Sequence, residues 1–286
     1  MVIHSALPEP LETVAAAALS DAGVEHLAHG DAQPFRAAVD AAADPRSGAL
    51  LGPFRSADVN DALAVTAPAG LALIAPVATW AGVTHDDEPG CEDAGRHEGT
   101  VLRLVARDTE IAARIAADVR GAGRRAFVVA GEHGYGAQLD GQLQMAGLPR
   151  AGAPEDADVV VLCGLAGGPE ISHAAALAPL PVIAFDGVQG APLGAGRDVL
   201  VALPFAPSAG VPEAELFSGV ERARCAAQLV VEAVAAGAED RASLLAALRE
   251  GGRFDAHGDP VDADVWLWRA AGDWQLRPER ALPPAG

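Results

Sequence analysis

Lysine is absent from this chain; every permanently cationic side chain is an arginine. That removes the Schiff-base amine and the P-loop ammonium, two common routes to catalysis and phosphate binding. Aromatic residues amount to 4% of the chain, with a single tyrosine, too few for base-stacking surfaces. Positive charge is scarce as well. The net charge of -19 repels phosphate backbones and anionic membrane surfaces, and no basic stripe interrupts it, so neither nucleic acid nor direct membrane insertion is expected. Cys91, Cys163 and Cys225 are odd in number and widely spaced, which fits neither a disulfide framework nor a metal-binding CxxC pair. No apolar run approaches the ~20 residues needed to cross a bilayer. The start, "MVIHSALPEPLETVAAAALS", lacks the basic residues, apolar core and cleavage site of an export signal. As written the chain is expected in the cytoplasm, and outside it if a leader has been removed.

What is present is a large supply of core. Half of the 286 residues are apolar, enough for one large α/β domain or for two lobes with cores of their own. Short apolar runs at "VIHSAL", "VEHLAH", "GALLG", "LALIA", "TVLRLVA", "RAFVVAG", "DVVVLCG", "LPVIAF" and "DVLVALP" read as strands. Helix-like stretches separate them, among them 11 to 22, 57 to 67, 109 to 122, 135 to 146 and 212 to 236, and a helical pattern continues to 249. The alternation predicts mostly parallel sheets with helices on both faces, and nine strands suffice for two such sheets. Near the carboxyl end, "ADVWLWRAAGDWQLRPE" predicts two more strands joined by a turn around Gly272 and Asp273. Trp266, Trp268 and Trp274 there read as packing residues. No repeat of fixed period is visible.

In an open parallel sheet, ligands sit beyond the carboxyl ends of the strands. Four segments at those places carry distinctive chemistry: "GPFRS", "APVATW", "GEHGYG" and "FDGVQG". They offer hydroxyls, backbone amides, one phenol and one carboxylate, a set suited to a small zwitterion.

The order of motifs, from "GALLGPFRSADV" through "LALIAPVATWAGVT", "RRAFVVAGEHGYGAQL", "DADVVVLCG" and "VIAFDGV" to "GRFDAHGDPVDADVWLWRAAGDW", resembles the type I periplasmic binding proteins of the branched-chain amino-acid and amide group, the substrate-binding components of ABC importers. The resemblance covers most of the chain from about Leu50 onward. It implies an α/β protein of two Rossmann-like lobes, parallel sheets flanked by helices, joined by a hinge and closing on a ligand in the cleft. Residues 1–106 with 208–254 would form the first lobe, and 107–207 with 255–286 the second. It further implies that Ser56 gives its hydroxyl to the ligand carboxylate and that Ala78 and Thr79 add backbone and side-chain contacts. Trp80 fills or stacks over the cleft, Tyr135 touches the ligand from the second lobe, and Asp186 holds the ammonium. No catalytic residue, metal or cofactor is implied. The partner is an importer's permease if the protein is exported, or a regulatory protein if it is a cytosolic amide sensor of the same fold.

Each assignment has a plainer counterpart. Ser56 stands where a helix starts and would serve equally as its N-cap. Thr79 could close a turn. Asp186 before Gly187 is a standard turn pair. Tyr135 could pack against a helix. Several features depart from the family pattern: the segment before "GPF" is short, "SALPEPLE" after the first strand lacks the usual Gly-rich turn, "LCGLAGG" puts Leu165 and Ala166 where an aromatic is common, Trp80 is bulky for its place, and Asp186 stands where a longer Glu is usual. The acidic loop 84–99, with His85, Asp86, Asp87, Glu88, Cys91 and His97, follows no metal spacing and reads as a solvated loop, or a lid or rim. "GLAGGPE" could cradle a phosphate for a nucleotide-dependent enzyme, but it does not match GxGxxG. Neither a GxSxG elbow nor an HExxH helix occurs.

Overall fold

The computed structural model describes residues 1–85, 99–177, 179–188, 190–193, 197–207, 219–270 and 274–284. Strands in chain order are β1 (Val2–Ser5), β2 (Glu25–Ala28), β3 (Ser47–Leu51), β4 (Ala72–Ala75), β5 (Val101–Arg103), β6 (Ala126–Ala130), β7 (Val159–Cys163), β8 (Val182–Phe185), β9 (Val199–Leu203), β10 (Trp266–Ala270) and β11 (Leu276–Ala281). The α-helices among the described residues are α1 (Leu11–Asp21), α2 (Pro34–Ala43), α3 (Ser56–Thr66), α4 (Asp108–Gly121), α5 (Gly134–Met145), α6 (Pro169–Ala176), α7 (Val220–Ala235) and α8 (Arg241–Glu250). All nine apolar runs are strands, and the two expected at the carboxyl end are β10 and β11. Two compact units result: Met1–Arg107 with Ser208–Ala263, and Asp108–Pro207 with Asp264–Gly286.

Unit 1 is built on a wholly parallel five-stranded sheet, order β2-β1-β3-β4-β5. Strands β1, β3, β4 and β5 are buried along their whole length, which is why they read as continuous apolar runs, while β2 at the sheet edge is largely exposed. Successive side chains point to opposite faces, and the core divides accordingly. Ala49, Leu51, Ala72 and Ile74 pack with Leu11 and Leu19 of α1, Val230 of α7 and Leu244 of α8. Leu50, Leu73 and Ala75 pack with Ala38 and Ala41 of α2 and Val59 and Leu63 of α3. Shortening such a residue, as in Leu73→Ala, costs about 2–5 kcal/mol.

The helical pattern expected to run unbroken from 212 to 249 is two helices over its described part. Gly237, at φ +101, takes the chain out of α7. Asp240 then starts α8 with a capping box, its carboxylate accepting the Ser243 N–H at 2.8 Å while Ser243 Oγ accepts the Asp240 N–H at 3.0 Å. Residues 255 to 263, expected in the second lobe, belong to unit 1. Two features hold them there: the Gly258 carbonyl accepts the Arg103 N–H at 2.8 Å, and Asp259 pairs with the buried Arg103 at 2.9 Å.

Unit 2 holds a six-stranded mixed sheet, order β11-β10-β9-β8-β7-β6, parallel from β6 to β9 and antiparallel at β10 and β11. Trp268 is fully buried against Phe205, and the Trp274 indole N–H donates to the Ala191 carbonyl at 3.0 Å, so both are packing residues. The turn expected at Gly272 and Asp273 lies outside the described residues.

Candidate functional site

Sheet order locates a candidate site in each unit. In unit 1 the chain leaves β1 toward β2 and returns across it to β3, so the connections after β1 and β3 diverge to opposite faces and leave a crevice at the strand ends. A hollow of about 210 Å³ lies there, lined by Ala6, Pro8, Asp31, Phe54, Arg55 and Asp58 among others. Unit 2 repeats the device. After α5 the chain makes an isolated parallel bridge from Arg150 to Ala126, on one side of β6, then crosses to β7 on the other. An open hollow of about 910 Å³ lies at that switch point, with Gly131, His133, Tyr135, Leu165, Gly168 and Glu170 in its lining.

In unit 1 the residues singled out from sequence come together. Gly52 turns the chain out of β3 at φ +87, and a Cβ on it would lie 2.8 Å from the Ala6 carbonyl, so the "GPF" turn requires glycine. The N-cap of α3 is Arg55, with no side-chain capping bond, and Ser56 is the first residue of the helix. The Ser56 Oγ accepts the Trp80 N–H at 3.3 Å, tying the turn after β3 to the loop after β4. Ala78 and Thr79 are buried in that loop. The Trp80 ring lies so close over Gly82 that a Cβ there would collide with it. The indole therefore packs on its own loop.

Arg103, fully buried at the end of β5, fixes the loop from beneath. Its guanidinium donates to the carbonyls of Ala78 at 3.2 Å, Trp80 at 2.9 Å and Ala81 at 3.3 Å, and to the Thr84 hydroxyl. Asp259 accepts from Arg103 at 2.9 Å, Thr84 Oγ1 at 2.7 Å and His85 Nε2 at 2.9 Å, and lies 3.5 Å from Arg107. Burial pushes the Asp259 carboxyl up, but Arg103, Thr84, Arg107 and His85 together hold it below the usual carboxylate range. His85, Asp255 and Asp259 present ligand atoms within 4.8 Å of one another. Two arginines already supply the positive charge, and Asp255 Oδ1 accepts the N–H groups of His257, Gly258 and Asp259, so the cluster is an internal ion-pair network. None of these roles was read from sequence. The signal for one was visible: an arginine inside the apolar run "TVLRLVA". Of the acidic loop only Thr84, His85 and Gly99 are described; 86–98 lie outside the described residues.

The turn after β1 is closed by the chain's own groups. Glu12 takes the Ser5 hydroxyl, the Leu7 N–H at 3.4 Å and His26 at 3.2 Å. Burial would raise its carboxyl, but the bonds from His26 and Ser5 bring it below its ordinary value. The turn in "SALPEPLE" is thus organised around a buried carboxylate.

In unit 2, Tyr135 lies in the first turn of α5. Its hydroxyl donates to Asp108 Oδ1 at 3.2 Å and stands 3.5 Å from Asp186 Oδ1. Burial raises the Asp186 carboxyl above its ordinary value, against the opposing Gly187 N–H and Tyr135 hydroxyl. Gly136 has no room for a Cβ, which would lie 2.7 Å from the Cys163 carbonyl, so the "YG" pair lets α5 start close against β7. The Ala166 N–H donates to the Gly187 carbonyl at 2.8 Å, knitting the turns after β7 and β8.

The phosphate-cradle reading of "GLAGGPE" fails on geometry. Glu170, in the first turn of α6, folds back so that its carboxylate accepts the Leu165 N–H at 3.0 Å, and a Cβ on Gly164 or Gly168 would collide with it. The turn already contains an anion, and a phosphate would meet it head on.

No family model and no curated protein sequence matches the chain. Solved structures do. An ABC transporter substrate-binding protein from Desulfitobacterium hafniense superposes with TM-score 0.76 at 18% identity, covering 98% of this chain and 99% of that one. Its complex with Leu gives 0.75 at the same identity. The leucine-binding protein of Thermotoga maritima gives 0.74 at 17%, covering 99% of each chain. The branched-chain amino acid transporter substrate-binding protein of Streptococcus pneumoniae, in complex with isoleucine, gives 0.71 at 15%, covering 98% and 97%. The chain has the type I periplasmic binding protein fold. The two Rossmann-like α/β sheets expected from sequence are those of this fold.

Proposed function

We propose that this type I binding protein takes up a small solute, an aliphatic (branched-chain) amino acid or a related amide, does no chemistry on it, and delivers it to the permease of an ABC importer outside the cytoplasm. Solved proteins of the same fold hold leucine and isoleucine, which supports the solute class. The observation that carries the reading is the pair of carboxyl groups, Asp108 and Asp186, around one phenol in unit 2. Burial disfavours the ionised form of the Asp186 carboxyl, and an ammonium beside it would favour that form. Unit 1 offers a hydroxyl donor of its own. Ser56 spends a lone pair on the Trp80 N–H and keeps its own hydrogen for a guest carboxylate. The residues proposed to take part are Ser56, Ala78, Thr79 and Trp80 in unit 1, with Tyr135 and Asp186 in unit 2. Trp80 would do so through its backbone, since its ring covers Gly82.

A thermal-shift panel of amino acids, short amides, aromatic acids and nucleotides tests this. A true ligand at a hundred times its Kd stabilises the protein by ~2.7 kcal/mol, and leucine, isoleucine or valine should do so. A response to nucleotides alone would overturn the reading.

A further inference from the structure

The unit 2 hollow contains an anion of its own. Glu170 reaches back from the first turn of α6 to the Leu165 N–H, into a space that Gly164 and Gly168 leave open by having no side chain. Gly131, at the end of β6, also lies beside this carboxylate. Two glycines of the turn after β7 therefore make room for one carboxylate at the start of a helix, with Gly131 in ordinary contact beside it, where backbone N–H groups and the helix dipole favour negative charge. Among the described residues, the ionisable groups lining the hollow are Glu132, His133, Tyr135, Glu170 and His173, with no arginine.

We propose that Glu170 sets the charge selectivity of this hollow: its carboxylate fills the amide turn that would otherwise take an anion, and so excludes ligands whose side chain carries a negative charge. The amino-acid form of this statement rests on the proposed solute-binding function; the exclusion of small anions rests on the geometry alone. Neutral side chains, amides and ammonium groups remain acceptable to the hollow, and carboxylate side chains do not.

The test uses the full chain as wild type, E170A, E170Q and E132Q, the last removing an equal charge from the exposed rim. Melting is followed as inorganic phosphate replaces chloride at constant ionic strength. E170A should gain a saturable phosphate-dependent stabilisation that wild type and E132Q lack. Calorimetric titration with glutamine and glutamate, which differ in side-chain charge at equal size, supplies the second readout. Wild type should favour glutamine by more than about tenfold, and E170Q, which keeps the bond to Leu165, should narrow that ratio by about tenfold. A purely structural role for Glu170 would change stability and leave both selectivities where they were. No phosphate response in a folded E170A overturns the proposal. If E170A does not fold, an unchanged glutamine-to-glutamate ratio in E170Q overturns it. A phosphate response in E170A with no amino acid bound by wild type upholds the proposal and removes the amino-acid reading instead.

Discussion

Replacing Asp259 by asparagine isolates the charge that anchors the loop from Ala78 to His85. Asparagine keeps the size of the side chain and an acceptor for Thr84, while the fully buried Arg103 loses the Asp259 carboxylate it pairs with at 2.9 Å. Removing one partner of a buried pair costs about 3–5 kcal/mol. Arg107, with 28% of its side chain exposed, can turn to water and spare part of the loss. A cost of about 3–4 kcal/mol lowers the melting temperature of a unit this size by roughly 6–16 °C, readable by calorimetry. The pH dependence supplies a second check. Because the folded-state pKa of Asp259 is depressed, its stabilisation is complete above the ordinary carboxylate range and is lost as pH falls through the folded value. The gap between wild type and D259N should therefore close in acid. A variant melting within about 1 °C of wild type, or a gap that persists unchanged in acid, would refute the reasoning.

Three further outcomes follow from the geometry. Gly258→Ala forces a side chain onto φ +95 and against the Val101 carbonyl, and should destabilise unit 1 by more than about 1–3 kcal/mol in denaturant titration. Ser56→Ala removes the acceptor of the Trp80 N–H; it should cost about 0.5–1.5 kcal/mol of stability and weaken a carboxylate ligand more than an uncharged amide in calorimetry. An ammonium guest favours ionised Asp186, whose carboxyl is raised by burial in the free protein. Affinity should fall as pH drops into that raised range, and binding near it should release protons, seen as a heat that depends on the buffer.

The strands were legible because a strand buried on both faces has to be apolar throughout, and "DVVVLCG" or "LALIA" admits few other uses. Tyr135 and Asp186 were legible as strand-end chemistry, and the structure brings their side chains to 3.5 Å. Partnerships across long sequence separations were not. Arg103 and Asp259 lie far apart in the chain, and nothing local in "FDAHGDP" says which arginine its aspartate meets. Glu170 in "GLAGGPE" read as the tail of a possible anion cradle because its backward reach depends on side-chain direction, which composition does not encode. The break at Gly237 carried a local signal, a glycine followed by the acidic N-cap Asp240, that helical periodicity on either side masked. The switch-point device recurs in both units although no sequence repeat is visible, since topology constrains where strands lie and leaves residue identity free.

On the proposed function, the two charges of a zwitterion are recognised by separate groups of the chain. Calorimetric titration of wild type and D186N with leucine and with 4-methylpentanoate, which is leucine without its ammonium, tests it most directly. D186N should weaken leucine by roughly ten- to a hundredfold and leave 4-methylpentanoate nearly unchanged. Equal effects on both ligands, or none on leucine, would contradict it.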